Sequence, residues 1–201
     1  MSKQNVIRRT ILIIVVALAP CFSSFNAVGQ NPTYTGATIT GTAYAFSGRF
    51  AGRSAQFRLN VTKYTSADEV QRLNEALASG GQDGLSRAIS GMSAGRVSVG
   101  TGVGVDANVI LANDLPNGET KLTVIFERVV RFSELRYGTR SADYKFGYAE
   151  LYMRRNTEGQ GTIIPAAKIR LRDGNTWEVE DFGTFPARLM GLRTHGARVP
   201  R

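Results

Sequence analysis

The chain has 201 residues, 42% of them hydrophobic, and a formal net charge of +9 at pH 7. This length predicts one globular domain that is held together by its own apolar core. With one histidine and one cysteine in the whole chain, zinc and other metals that prefer nitrogen or sulfur have almost no ligands, and a disulfide within the chain is excluded.

The first residues have the pattern of a removable export signal. Three basic residues precede an apolar run from Ile11 to Ala19, which is shorter than the roughly 20 residues of a membrane-spanning helix. The small-x-small triplet at 27–29 then suits cleavage before Gln30. We therefore predict that residues 1–29 are a cleaved signal peptide, that the protein is periplasmic or secreted, and that the mature chain has no transmembrane anchor.

Two variants of this export signal stay open. Cys21 follows Leu18-Ala19-Pro20, which is partly similar to a lipoprotein box, so this cysteine is a candidate for lipidation. The pair Arg8-Arg9 is partly similar to a twin-arginine signal. Cleavage before Gln30 removes three of the 25 basic residues and none of the 16 acidic ones, which leaves a net charge of +6.

In the first half of the mature chain, two predicted strands are followed by a predicted helical segment. Period-two alternation predicts strands over 37–46 and 57–62. A capping box, Ser66-Ala67-Asp68-Glu69, then begins a segment with apolar residues at helical spacing. Because Gly80-Gly81 interrupts this spacing, residues 66–93 are predicted to form a helical hairpin inserted between strands.

Strands resume after the helices. Valines alternate with glycines from Arg96 to Gly104, which predicts a strand with one glycine face, and a further strand is expected over 105–112. Alternation also predicts strands over 121–130 and 144–154, with a polar loop over 131–143 between them. Three more segments follow, as far as about Leu192.

The segment from 163 to 180 predicts a β-hairpin with a defined register. If Asp173-Gly174-Asn175 is the loop, Leu171 faces Trp177 on the inner side. Arg170 then faces Glu178 on the outer side, whereas a slip by one residue would place arginine against tryptophan. Pattern and charge therefore favour the same pairing, with Asn175 in the left-handed position of the loop.

Together these elements predict a mainly β (α+β) fold. Eight or nine strands joined mostly by short loops are typical of an antiparallel β-barrel or a closed sandwich. We expect a single β-rich domain over 30–193, followed by a flexible basic tail over 194–201. The only histidine, His195, falls in that tail, where no second group would hold it for catalysis.

One candidate site lies on the strand over 144–154. Glu150 shares an alternating face with Tyr144, Tyr148 and Tyr152. A carboxyl group in an aromatic lining has a raised pKa and can act as an acid or base, and the tyrosines can bind a ligand. The alternative is that this face points outward while Gly147, Ala149, Leu151 and Met153 form the inner face.

A second candidate site is a segment rich in arginine. Its guanidinium groups suit carboxylate, phosphate or sulfate, and its tyrosine offers a flat surface. The alternative is a solvated basic loop. The residues of this segment are Arg128, Arg131, Arg136, Tyr137 and Arg140.

These patterns favour an exported, non-catalytic binding or cell-envelope protein. Its ligand or partner would be a small apolar or anionic molecule, or an anionic component of the envelope; no nucleic acid, metal or cofactor is expected. The glycine-rich stretch Gly100–Gly104 has no helix after it, so it does not predict a phosphate site. The alternative function is an exported hydrolase or isomerase in which Glu150 is the base.

Overall fold

The computed structural model describes residues 36–45, 51–128, 143–174, 176–181 and 186–196. Within these ranges the protein is mainly β, with one kinked helix, α1, over Ala67–Ile89 and ten strands in a single antiparallel sheet. The strands are β1 Thr38–Tyr44, β2 Ser54–Val61, β3 Gly95–Val99, β4 Val105–Ala107, β5 Val109–Asp114, β6 Thr120–Glu127, β7 Phe146–Met153, β8 Gly159–Arg172, β9 Thr176–Asp181 and β10 Ala187–His195.

The sheet has the strand order β4-β3-β2-β1-β10-β8-β7-β6-β5, and β9 pairs with β8 outside this path. The predicted mainly β, antiparallel fold is therefore confirmed. The described strands do not close the sheet into a barrel, because no hydrogen-bonded ladder joins the β4 edge to the β5 edge. The finer prediction, a closed barrel or sandwich, is not confirmed.

The two edge strands of this sheet are separated by one residue, Asn108. The buried amide of Asn108 donates to the carbonyls of Ile89 and Met92 over 3.2 and 3.0 Å. Its Oδ1 accepts from the backbone N–H of Glu127 over 2.9 Å. A single side chain thus ties the end of α1 to β6, at the point where the chain passes from β4 to β5.

The inner face of the sheet holds the larger part of the core. Phe57, Leu59 and Val61 alternate with exposed or half-buried residues along β2. Phe126 lies over Gly147 of the next strand, where a Cβ atom would stand 1.9 Å from the phenylalanine ring. A glycine at this position lets the ring lie flat against β7.

The helix covers the outer face of the other half of the sheet. Leu73, Leu77, Leu85 and Ile89 of α1 form a second buried cluster with outward residues of β5 to β9. The predicted capping box is confirmed, since Ser66 N donates to Glu69 Oε2 and Glu69 N donates to the serine hydroxyl. No helix among the described residues is both long and apolar enough to cross a membrane.

The region predicted as a helical hairpin, 66–93, contains α1, in which two helical segments meet at a sharp kink. Gly81 has φ 56° and ψ −144°, which breaks the helical conformation. After the kink, Gly84 packs against the backbone of Ala76, where a Cβ atom would stand 2.1 Å from the carbonyl oxygen. The two segments of α1 are therefore in close contact.

Gln82, just after this kink, completes the hydrogen bonding of β8. Its amide donates to the carbonyl of Ile169 and accepts from the N–H of the same residue over 3.0 Å. The pairing of β8 with β7 ends at Ala167, opposite Phe146. The glutamine side chain thus takes the place of a neighbouring strand.

Two sequence predictions fail at element ends. The predicted strand from Arg96 to Gly104 ends at Val99, because Gly100 and Gly104 adopt φ of 77° and 84° and form a turn before β4. The predicted tail from residue 194 also begins too early, since β10 continues through His195. There the imidazole Nε2 lies 2.9 Å from the Thr40 hydroxyl.

The predicted hairpin of β8 and β9 is confirmed in its register. Leu171 pairs with Trp177 and Arg170 with Glu178, and the loop spans three residues. The ion pairs, however, run diagonally: Arg170 contacts Glu180 at 2.5 Å, and Arg172 contacts Glu178 at 3.0 Å. The loop has positive φ at Asp173 and Gly174; Asn175 lies outside the described residues.

Candidate functional site

The tyrosine face of β7 points to the outside of the sheet. The opposite face of the strand is the inner one, with Ala149, Leu151 and Met153 fully or almost fully buried. The structure has the arrangement given above as the alternative, in which these tyrosines face outward, but α1 covers part of their face. Tyr148 is buried with Phe146 in the cluster under the helix, so the three tyrosines form no continuous platform.

Glu150 is surrounded by hydrogen-bond donors. Its carboxylate accepts from the Lys121 ammonium at 2.5 Å, from the Tyr152 hydroxyl at 3.1 Å and from the Tyr148 hydroxyl. Burial raises the pKa of the carboxyl group, but the hydrogen bonds from Lys121 and Tyr148 outweigh burial and hold the pKa below 4.5. The expected raised pKa is therefore not found.

This arrangement makes Glu150 a poor base at neutral pH. A carboxylate with a lowered pKa has little affinity for a proton, and its two oxygens are already occupied by three donors. Burial, with the adjacent carboxylate, also raises the pKa of Tyr148 and Tyr152. The cluster therefore stabilises the outer face rather than presenting a reactive group.

Tyr144 and Arg128 meet at the other end of this face. The Tyr144 hydroxyl donates to Glu180 over 2.6 Å, and the Arg128 Nε donates to the carbonyl of Tyr144 over 2.9 Å. Arg128 is the only one of the predicted arginine-segment residues that the structure describes. Arg131, Arg136, Tyr137 and Arg140 lie outside the described residues, as do the predicted signal peptide and Cys21.

An apolar cleft opens near the ends of β3 and β6. It has a volume of about 260 Å³ and lies between β3, β4, β6 and β8. Val99 remains 44% exposed at its mouth. We call it the end cleft; its lining residues are Val97, Ser98, Val99, Gly104, Val105, Phe126 and Ile163.

A more polar cleft of about 380 Å³ adjoins the end cleft and shares Gly104 and Val105 with it. Arg96 and Asp106 form an ion pair of 3.1 Å at its edge. The carboxylate of Glu127 also lines it, 3.5 Å from the Ser86 hydroxyl. The two clefts together place an apolar surface next to charged groups.

Neither cleft was predicted from the sequence. The alternating valines of β3 show that their side chains share one face, but only the turn at 100–104 brings Val105 beside Val97. A motif was also missed, since Gly91-Met92-Ser93-Ala94-Gly95 has the Gly-x-Ser-x-Gly spacing of many hydrolases.

The context of this motif does not fit a nucleophile. It leads from a helix into a strand, whereas the hydrolase motif leads from a strand into a helix. The single histidine, His195, is on β10 and contacts Thr40. Nor do the described residues include a group of three or more His, Cys, Asp or Glu side chains placed to hold a metal ion.

Comparisons with protein-family models, curated proteins and solved structures find no match to this chain.

Proposed function

We propose that this protein is an exported, non-catalytic binding protein whose small ligand places an apolar body in the end cleft. The observation that carries the proposal is the lining of this cleft: five apolar side chains from four strands surround a space that reaches the surface. Ligand sites are typically concave and mainly apolar with a few polar groups. The modest volume, about 260 Å³, favours a small ligand.

The sheet geometry supports this position for a site. We propose that β4 and β5 act as one bent strand, pairing with β3 before Asn108 and with β6 after it. The sheet then curls into a barrel-like shape around the core. The end cleft lies where the bent strand leaves β6, and the open ends of such curled sheets are common ligand sites.

An anionic group on the ligand would complete the match. Phe126 of the cleft is followed by Glu127 and Arg128, and the arginine segment continues from there. Guanidinium groups bind carboxylates in two-pronged fashion, so we propose the arginines of this segment as the partners of an anionic group on the ligand. The basic net charge of the chain favours the same ligand class.

The alternative, an enzyme that uses Glu150 as its base, gains no support from the geometry. The low pKa and the three donors around that carboxylate oppose proton abstraction. No cleft among those described adjoins Glu150.

Displacement of a fluorescent probe tests the proposal. Anilinonaphthalene sulfonate combines an apolar body with an anionic group, and we expect saturable binding of one equivalent to the purified protein. Decanoate should displace the probe more effectively than decanol, and decyltrimethylammonium least effectively. Val99→Glu should weaken binding by about tenfold or more, because it places a charge in the apolar mouth.

Met190→Glu is the matched control, since Met190 is a similarly exposed apolar residue, 51% accessible, on β10. It should leave the affinity within about twofold of the parent. Equal losses in the two variants, or no saturable binding, would overturn the proposal. The export itself is tested by intact mass: the exported chain should begin at Gln30.

A further inference from the structure

Among the described residues, none packs over one half of the outer face of the sheet. The helix packs on β5 to β9, whereas the outward side chains of β10, β1, β2 and β3 are exposed or half-buried. We call this surface the open face. It consists of the outward residues of these four strands, among them Tyr44, Arg58, Arg96, Arg188, Met190 and Arg193.

The strands of the open face carry basic residues and no acidic ones. The four strands contain four arginines and no aspartate or glutamate. Two of these arginines form ion pairs with acidic residues that lie outside the four strands: Arg96 with Asp106, and Arg193 with Glu158. Arg58 is exposed and pairs with no acidic residue among those described. It is therefore a free cation near the middle of the face.

The register places hydrogen-bonding groups around Arg58. In adjacent strands Thr40 pairs with Arg58 on one side, and Ser98 pairs with it on the other. Neighbouring strands are about 4.8 Å apart, and successive outward residues about 7 Å. Gln56 and Asn60 precede and follow Arg58 on the same face, so residues with hydroxyl or amide groups flank Arg58 in both directions along the sheet.

An aromatic side chain lies at one end of the open face. Tyr44 is 39% exposed and pairs with Arg188 of the adjacent strand, β10. An exposed tyrosine offers a rigid, amphipathic surface on which a flat ring can stack. Met190, on the same strand as Arg188, is the other large apolar residue exposed on this face.

We infer that the open face binds an anionic polysaccharide, with Arg58 holding a carboxylate group of the chain. Charge complementarity selects an anionic polymer, and the guanidinium matches a carboxylate in geometry. The surrounding threonine, serine, asparagine and glutamine side chains match the hydroxyl groups of sugars, since each can donate or accept. A membrane surface fits less well, because binding in the interface requires a large apolar face, and only Tyr44 and Met190 supply one here.

Binding of immobilised alginate, a chain of uronic acids, tests this inference. We expect the purified protein to bind alginate in a salt-sensitive manner and not to bind neutral dextran. Arg58→Glu should weaken alginate binding by about tenfold or more, because it replaces the central cation with a repelling charge. Thr40→Val, which removes one hydroxyl and keeps a strand-forming residue, should weaken it by about twofold to fivefold.

Arg72→Glu is the matched control, because it makes the same charge change at an exposed position of α1. It should change alginate affinity by less than about threefold. Equal losses in Arg58→Glu and Arg72→Glu would show that only net charge matters and would overturn the inference. So would binding to phosphatidylglycerol vesicles without binding to alginate. Unchanged probe binding in the end cleft of Arg58→Glu separates this inference from the proposed function.

Discussion

The position of Glu150 beside the tyrosines was predicted correctly, but the direction of its pKa shift was predicted wrongly. Alternation along β7 places it among tyrosines, and the structure does so. The ammonium of Lys121 comes from the neighbouring strand, 29 positions earlier in the chain. Because a pKa depends on all the groups around a carboxyl, the pattern of one strand could not predict its direction.

This environment makes a prediction about stability and pH. A carboxyl whose pKa is lowered on folding stabilises the folded state above its unfolded pKa, and this contribution is lost as the pH falls through the folded value. Glu150→Gln should therefore destabilise the protein by about 1–3 kcal/mol at pH 7. The difference from the parent should shrink below pH 4.5, the ordinary value.

Urea unfolding at pH 7 and at pH 3 measures this effect. Glu178→Gln is the control, because Glu178 is about half exposed in its pair with Arg172; it should cost less than about 1 kcal/mol at pH 7. A Glu150→Gln penalty that is the same at both pH values would show that the carboxylate is not stabilised by its donors.

Among the secondary-structure elements, the β8–β9 hairpin is the one that the sequence predicts best. Two independent signals, apolar alternation and opposite charges, agree on one register there. Trp177 packs on the cluster under the helix, and its indole N–H donates to Asn74 of α1 over 2.5 Å. The hairpin is thus attached to the helix as well as paired with β8.

The two faces of this hairpin should differ in their contribution to stability. Trp177→Ala should destabilise the protein by about 2–4 kcal/mol, because it removes a large, partly buried ring and its hydrogen bond. Arg170→Ala should cost less than about 1 kcal/mol, since its pair with Glu180 is more than 40% exposed on both sides. Chemical denaturation compares the two; equal losses would mean that the ring is not packed as described.

The elements that the sequence predicts poorly depend on distant partners. The valine–glycine alternation from Arg96 onward looks like an uninterrupted strand, but Gly100 and Gly104 take conformations that end it. Gln82 carries no signal for its bond to Ile169, 87 positions away. Local periodicity gives the type of an element, whereas its ends and its side-chain bonds are set by the strands that it meets.

In the molecule as a whole, Asn108 is the residue at which the chain passes from one edge strand, β4, to the other, β5. Strand alternation gave no indication that residues 105–112 would pair with β3 in one half and with β6 in the other. Nor did it show that Asn108, the residue between these two edge strands, has a buried side-chain amide. The change of partner strand at Asn108 sets the position of the end cleft, so the cleft could not be predicted from the sequence.

Loss of the Asn108 amide should therefore weaken the whole fold. Asn108→Ala leaves two carbonyls and one N–H without their buried partner and should cost at least about 2 kcal/mol. Asn108→Asp should not restore stability, because a carboxylate cannot donate to the carbonyls of Ile89 and Met92. Thermal and urea unfolding measure both variants.

Asn117→Ala, in the exposed β5–β6 turn, is the control and should cost less than about 1 kcal/mol. If Asn108→Ala is no more destabilising than this control, the end of α1 is held against β6 by other contacts.

We expect a small ligand with an apolar body to bind in the end cleft, and an NMR titration of the isotope-labelled protein with decanoate locates the binding site. Saturable shifts should be concentrated at Val97, Val99, Val105, Phe126 and Ile163, with Glu150 and Tyr152 unmoved. Shifts centred on Glu150 and Tyr152, or no saturable shifts at all, would show that the ligand does not bind in the end cleft.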